Sequence, residues 1–481
     1  RDKLVTGVQT CALPISVVRP ESAPRLLTDT AQKLELLEAT GVDATVVISF
    51  DAKQAAESPL DFAQRVIVDC LATSTIVVGS DFHFGRNRQG NVTTLSEYGA
   101  TAGFDVVPMP LLPRHDGPGE PVSSTAIRRA MAGGHLACVF NPNAKSAAKH
   151  GAAHHVPAYS EWGQFLSHPG LQVVTIATPS GAHHEGTLRA AAAGKHVVCE
   201  KPLEVTLERI DEMIRACTER KVHLAAIHQR RFLDSTRVFK QAVDAGRLGR
   251  ITLADAYVKW FRTQQYYDQG SWRGTWRLDG GGALMNQSIH TIDQLLYLAG
   301  DVESVCAFAA RAAHDRIEVE DVATAVLRFR SGALGVIEGS TACWSKLGHG
   351  AEVHLCGTTG SVFMRDETFT AWDFNPPLPE DAEILTRFGP KVGVAGVGAA
   401  DPKAITYAAH QRVFEDMATA VASGRSPAVS GAEARKSVEL ILAIYQSALA
   451  GGAPVTLPLA RTPGLHAFDQ ADTRRLESSP R

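Results

Sequence analysis

Near Arg250 the repeat pattern of this chain changes, and that change limits what it can fold into more than any other feature. Before it, helix-sized and strand-sized segments alternate. KLELLEATG has the spacing of an amphipathic helix ending at Gly41, ATVVISF that of a β-branched strand, DFAQRVIVDCL a helix and TIVVGS a strand. FDVVPMP follows as a strand, and SSTAIRRAMAGG as a helix capped by Ser or Thr and stopped by glycines. The alternation resumes with ACVF, a helix over residues 144–150, QVVTIATP, HHEGTLRAAAAG, HVVCEKP, LERIDEMIRACTERK and HLAAIHQ. Such alternation predicts a parallel sheet with helices on its faces. After Arg250 long alternating strands succeed one another: ITLADAYVKWF, VESVCAFAA, DVATAVLRF, ALGVIEGSTAC and AEVHLCG. They predict a large, mainly antiparallel sheet with one face in solvent. A helix over 283–298 interrupts the strands, helices over 410–422 and 432–450 close the chain, and a polar tail from Arg461 is expected to be disordered. The expected class is α/β followed by α+β.

At 481 residues the chain exceeds one ordinary domain, and roughly 100–200 residues per domain predicts three. A net charge of −3 argues against nucleic-acid and anionic-membrane partners, which need a basic surface. No apolar run reaches about 18 residues, so no transmembrane helix is expected. The eight cysteines are scattered without a C-x-x-C pair, the pattern of reduced thiols in a cytoplasmic protein. The pairs His154–His155 and His183–His184 lack thiolate or carboxylate partners at ligand spacing, so no metal site is expected. The opening RDKLVTGVQTCALPIS has neither the basic nor the apolar region of a signal peptide. It resembles translated sequencing-adapter sequence, and residues 1–16 are set aside as a non-native tail.

Two strand ends carry residues with chemistry: ATPSGAHH after QVVTI, and CEKP after HVV. Ligands of open α/β sheets bind at the carboxyl ends of strands, so Lys201, beside Glu200 and followed by Pro202, is poised over a crevice. A lysine in a surface turn fits the same residues. In GGGALMNQSIHTIDQLL the glycines Gly280 to Gly282 let backbone approach a ligand closely at a helix start. Asn286, His290 and Asp293 fall at i, i+4 and i+7, one helical stripe of amide, imidazole and carboxylate.

Five ordered motifs then converge. They are T-P-x-x-x-H (Thr178, Pro179, His183), A-G-K-H-V-x-x-E-K-P (193–202), Q-R-R-F from Gln229, G-R-L-G (246–249) and G-G-x-x-x-N-Q-x-I-H-x-x-D. Together they resemble the Gfo/Idh/MocA family of sugar oxidoreductases over about 320 residues. The resemblance implies hydride transfer between a sugar hydroxyl and NAD or NADP. Lys201 would bind the reacting hydroxyl and His290 would take its proton, with Asn286 beside them. Asn286 stands where family members often have Asp. Asn141, Thr178, Pro179, His183, Glu200, Lys201 and Gln229 would line the cofactor, and neutral Asn141 leaves NAD and NADP both open. The segment YYDQGSWRGTWRLDGGGALMNQ resembles the branch acting on nucleotide-activated amino sugars and their uronic acids. It assigns Tyr267, Trp272, Arg273, Asn286 and Asp293 to the substrate; an aromatic edge strand packed on the sheet explains the same rings. No G-x-G-x-x-G precedes ACVF, so the cofactor domain (138–249) reads as a Rossmann-like sheet truncated before its second strand. Weak or absent nicotinamide binding is the consequence expected. A substrate and oligomerisation domain spans 250–459 and a tail 460–481, with a homo-oligomer expected to cover the open sheet face.

Residues 17–137 resemble a different enzyme, the FMN adenylyltransferase (FAD synthetase) module of bifunctional riboflavin kinases. RPESAPRLLT, KLELLEATGVD, SPLDFAQRV, VVGSDFHFGRNRQG and PVSSTAIRRAM carry this likeness. Ser123, Ser124, Thr125 and Arg128 would hold ATP phosphates at a helix start, with FMN as co-substrate. This fragment reads as an α/β nucleotidyltransferase-like fold. Two incomplete modules meeting near residues 137–138 are most simply an assembly chimera. Three functions follow: sugar dehydrogenase, FAD synthetase, or an inactive chimeric product.

Overall fold

The computed structural model describes residues 56–109, 135–390 and 408–465, except residues 72, 80, 81, 87, 88, 271 and 347. The chain divides into two compact units, Arg1–Met131 and Ala132–Arg481. The adapter-like tail, KLELLEATG, ATVVISF and SSTAIRRAMAGG lie outside the described residues, as do Ser123, Ser124, Thr125 and Arg128.

In the first unit, strand β1 (Thr75–Gly79) pairs in parallel with β4 (Asp105–Met109). The hairpin of β2 (His83–Phe84) and β3 (Gly90–Asn91) and the helix Val92–Ala102 lie between them in the chain. That helix starts where the Asn91 side chain accepts from Thr94 N and stops at Gly103, whose φ of 84° a residue with a Cβ adopts only with strain. DFAQRVIVDC is helical as expected, but from Ala63 to Cys70 it winds as a π-helix. Ala63, Ile67, Phe84, Leu95 and Phe104 form this unit's core.

In the second unit ACVF yields only β5 (Val139–Phe140), which pairs in parallel with β6 (Ala158–Tyr159), a strand too short for sequence periodicity to find. The three parallel strands β7 (Val173–Ile176), β8 (His196–Cys199) and β9 (Leu224–Ala226) form a separate sheet in that order. Helices His183–Ala192 and Leu207–Glu219 connect them. The helix Asp234–Asp244, which sequence patterning missed, precedes the large sheet.

That sheet has eight strands in the order β16-β15-β14-β10-β13-β12-β11-β17. Its strands are β10 (Ile251–Lys259), β11 (Val302–Ala310), β12 (Val322–Phe329), β13 (Leu334–Ser340), β14 (Glu352–Gly357), β15 (Gly360–Arg365), β16 (Thr368–Phe374) and β17 (Val455–Thr456). Every pairing is antiparallel except β10 with β13. Its inner face is rich in small side chains (Ala254, Ala256, Ala307, Ala323 and Ala325, all buried), which lets helices Ile289–Ala299 and Gly431–Leu449 pack closely. The helix expected over 283–298 is two pieces, a π-helical turn Ala283–Ser288 and the α-helix Ile289–Ala299. The closing helices are Ala408–Ser423 and Gly431–Leu449. The expected disorder does not begin at Arg461. Thr462 accepts from Leu207 N at 2.8 Å and bonds Glu208 through both its amide and its hydroxyl, anchoring the chain to a helix N-terminus.

Candidate active-site crevice

The crevice is built where β8 ends and the π-helical turn begins. Glu200 N donates to Ile176 O, continuing the parallel pairing by one residue, and the Lys201–Pro202 peptide is cis. Lys201 follows the strand end, and its Nζ donates to the backbone carbonyl of Asn286 at 2.7 Å. Burial is the main influence lowering its affinity for a proton, opposed by Glu200 and Asp279 and reinforced by Arg262.

His290 stands half-buried on the helix after Asn286, and its Nδ1 has no hydrogen-bond partner. Burial, then Lys201, His228, Arg230 and His410, holds its pKa well below the ordinary imidazole value. It is therefore neutral at physiological pH, the form that accepts a proton. The His228 ring meets it edge-on at 5.7 Å between centroids. His228 is fully buried, and burial brings its pKa down to about 4.

The structure separates the expected polar stripe. Asn286 and His290 are half-buried, but Asp293 is inaccessible. The Arg231 guanidinium grips Asp293 with two bonds of 2.8 and 2.7 Å, so Asp293 is not available to a substrate. Helix phase does not cause the split, since His290 and Asp293 share the α-helix Ile289–Ala299; the Arg231 guanidinium takes Asp293 out of the stripe. Tyr267 is also misassigned to the substrate. It is 5% exposed, packs with Ile317 and Val319, and shares a 2.8 Å hydrogen bond with the Thr341 hydroxyl. The aromatic segment forms a short helix, Gln264–Asp268, and turns, not an edge strand. Trp272 and Arg273 remain partly accessible, with the Arg273 guanidinium 4.5 Å from the Tyr266 ring centroid and 5.4 Å from that of Trp272.

The glycine triplet serves packing, not ligand approach. A Cβ on Gly282 would lie 1.8 Å from the Glu320 carbonyl oxygen, and one on Gly281 would lie 2.2 Å from Tyr445 Oη. Behind the triplet the Glu320 carboxylate accepts from Gly282 N (2.9 Å), Leu284 N (2.8 Å) and Tyr445 Oη (2.9 Å). Burial pushes its pKa up to about 7 against these donors.

Among residues expected at the cofactor, Thr178 is exposed, and its hydroxyl closes a turn onto Ala182 O at 3.2 Å. Pro179 precedes the 3-10 turn Ser180–Ala182. His183 does not face the crevice: it is 1% exposed, with Nδ1 2.9 Å from Pro202 O and Nε2 2.9 Å from Thr178 O. It ties the two strand-end turns together, a positioning task. Gln229 is half-buried, and its Oε1 is a buried acceptor without a partner. Asn141 follows β5 with its side-chain oxygen accepting from Asn143 N at 2.9 Å, shaping the turn into helix Ala144–His154.

These turns, with Lys201 at the centre and the unpaired Gln229 oxygen, fit the nicotinamide end of a dinucleotide. Among the described residues no strand with a glycine-rich turn stands beside β7 to hold the pyrophosphate. Sequence inspection missed Asp279, Glu320, Arg231, His228 and Arg262. Asp279, which directly precedes the glycines, and Arg231, inside Q-R-R-F, carried a local signal; the others did not.

Comparison with known proteins finds two families in the chain. Residues 120–228 match the oxidoreductase family with an NAD-binding Rossmann fold, and residues 236–363 match the GFO/IDH/MocA C-terminal domain. Residues 4–126 match FAD synthetase. The WlbA dehydrogenase of Bordetella pertussis, solved with NADH and UDP-GlcNAcA, is 30% identical; the match covers 70% of this chain and 96% of that one, with a TM-score of 0.60. Levoglucosan dehydrogenase of Pseudarthrobacter phenanthrenivorans is 29% identical over 233 residues, 43% of this chain and 59% of the relative. Myo-inositol 2-dehydrogenase of Thermotoga maritima is 31% identical over 231 residues, 45% and 64% of the two chains. The chain thus spans about three fifths of the length of these curated relatives. A fragment of FAD synthetase type is joined here to a second, larger body, and that body belongs to the Gfo/Idh/MocA family of nicotinamide-dependent oxidoreductases.

Proposed function

We propose that the second unit oxidises a sugar hydroxyl, with a nucleotide-activated amino sugar or uronate as substrate. One observation carries this reading: Lys201 from a strand end bonds the carbonyl of Asn286, one helical turn before His290, and its charge helps to keep that imidazole neutral. Lys201 Nζ donates to the reacting hydroxyl oxygen and stabilises negative charge as that oxygen loses its proton. The open Nδ1 of His290 marks an unsatisfied imidazole, and this residue takes the proton. A bound nicotinamide supplies the hydride acceptor, at the turns carrying Thr178, Pro179, Glu200 and Gln229.

Arg273 stacked between Tyr266 and Trp272, and Arg262 within 5.1 Å of the Trp260 ring centroid, favour an anionic substrate with flat faces. The Bordetella relative, solved with a nucleotide-linked uronate, supports the same class. Calorimetry decides the matter: tighter binding of UDP-N-acetylglucosaminuronate than of myo-inositol is expected, and the reverse order would sink the proposal. With the glycine-rich turn missing from the described residues, turnover with NAD or NADP is expected to be weak, and to vanish in Lys201→Met. The free thiols among the described residues favour a cytoplasmic setting.

We also propose a homo-oligomer. The outer face of the large sheet exposes Phe308 (63%) and Val326 (58%), with Leu253 and Leu334 nearby on neighbouring strands. Light scattering is expected to find more than one copy per particle, and Val326→Glu to reduce it. A wild-type monomer at working concentration would overturn this.

A further inference from the structure

Asn286 bridges two charged groups, Lys201 and Asp279. Its backbone carbonyl accepts from Lys201 Nζ at 2.7 Å, and its side-chain Nδ2 donates to Asp279 Oδ1. The amide's other end is also occupied, because Asn286 Oδ1 accepts from Gln287 Nε2 at 2.8 Å. Asp279 is 1% exposed, and its second oxygen accepts from Gly274 N at 2.9 Å. An amide orients neighbours but carries no charge, so residue 286 cannot balance the Lys201 ammonium. A half-buried ammonium under the influence of Arg262 needs counter-charge close by, and Glu200 supplies the larger share of it, followed by Asp279.

We infer that Asp279 adds a second counter-charge to that of Glu200 and fixes the Asn286 amide whose carbonyl holds Lys201, making it a positioning residue for that lysine. The inference deepens the proposed dehydrogenase site but does not depend on turnover. Asp279 and Lys201 act on each other electrostatically, each favouring the other's charged form. Burial lifts Asp279 to about 6, against Gly274 N, Asn286, Lys201 and Arg273. The counter-charge is therefore present at neutral pH and lost on mild acidification. The other charged or titratable groups acting on Lys201 or on its neighbour His290 are Glu200, Arg262, Arg230, His228 and His410.

The test is competitive acetylation of Lys201 in the full chain, followed by peptide mass spectrometry across pH. It needs neither cofactor nor substrate, so a failed dehydrogenase assay leaves it intact. Asp279→Asn should ease proton loss from Lys201 and raise its labelling at pH 8 roughly tenfold. Adding Asn286→Asp to that variant returns a carboxylate to the pair, and labelling should come back to within about twofold of wild type. A merely structural Asp279 would not show this rescue. Unchanged labelling in Asp279→Asn, or no rescue in the double variant, overturns the inference. Should Asp279→Asn not fold by circular dichroism, the swapped double variant carries the test alone, since it conserves each donor–acceptor pair. Labelling more than about twofold from wild type then overturns it.

Discussion

The crevice and the knot of side chains behind it differ in how completely their polar groups are used. Behind the glycine triplet, Glu320 accepts three hydrogen bonds and Arg231 closes two bonds onto Asp293. Arg231 also reaches Glu433 at 3.2 Å. In the crevice, His290 Nδ1 and Gln229 Oε1 are buried with no partner, and Lys201 is held by a single backbone carbonyl. Saturated groups hold a fold; unsaturated ones are available to a ligand. The contrast explains why Asp293 belongs with the knot although it lies three residues from His290.

The largest expected effect breaks the knot. Arg231→Ala leaves Asp293 buried without its guanidinium and should cost about 3–5 kcal/mol in urea unfolding. A loss below about 1 kcal/mol would place Asp293 in contact with water and return it to the crevice.

Glu320 tests the same side by pH. Its folded value of about 7 lies above the ordinary 4.5, so the folded state holds a proton that the unfolded chain has released. Its stabilising contribution is complete below pH 4.5 and disappears as pH rises to 7. Wild type should therefore lose about 3 kcal/mol relative to Glu320→Gln across that window. A constant difference between the two proteins would show that water reaches this carboxylate.

A methyl group on Gly282 pushes against the Glu320 carbonyl, and Gly282→Ala should cost about 2–3 kcal/mol by thermal or chemical unfolding. If stability were unchanged, the triplet would be free for the ligand approach that its sequence suggested. The smallest effect belongs to the crevice: Lys201→Met should shift stability by less than about 0.5 kcal/mol while removing function. A large loss there would mean that Lys201 belongs to the scaffold.

Much of this was legible in the chain before any coordinates. Period-2 strands after Arg250 and period-3.6 helices were recovered because alternation and amphipathicity are local consequences of burial on one face. Strands β6, β15, β16 and β17 escaped, two of them being only two residues long and the others joined by tight turns without a clean pattern. Lys201, His290 and Asn286, the residues proposed to carry the chemistry, stood out because their motifs are contiguous. Asp279, Arg231 and Glu320 were not, since their partners are 7, 62 and 125 residues away.

Sequence alone determined that two enzyme families meet in one chain and where strands and helices alternate, and it singled out the residues proposed for proton transfer. Tertiary structure alone decided which polar residues are used up in holding the fold. That division has a physical cause: side-chain type and spacing are local, whereas the partner that satisfies a buried donor or acceptor comes from wherever the chain returns. Thus Tyr267 went to Thr341, Asp293 to Arg231 and His183 to two strand-end carbonyls, while His290 Nδ1 kept no partner and Lys201 took only the Asn286 carbonyl.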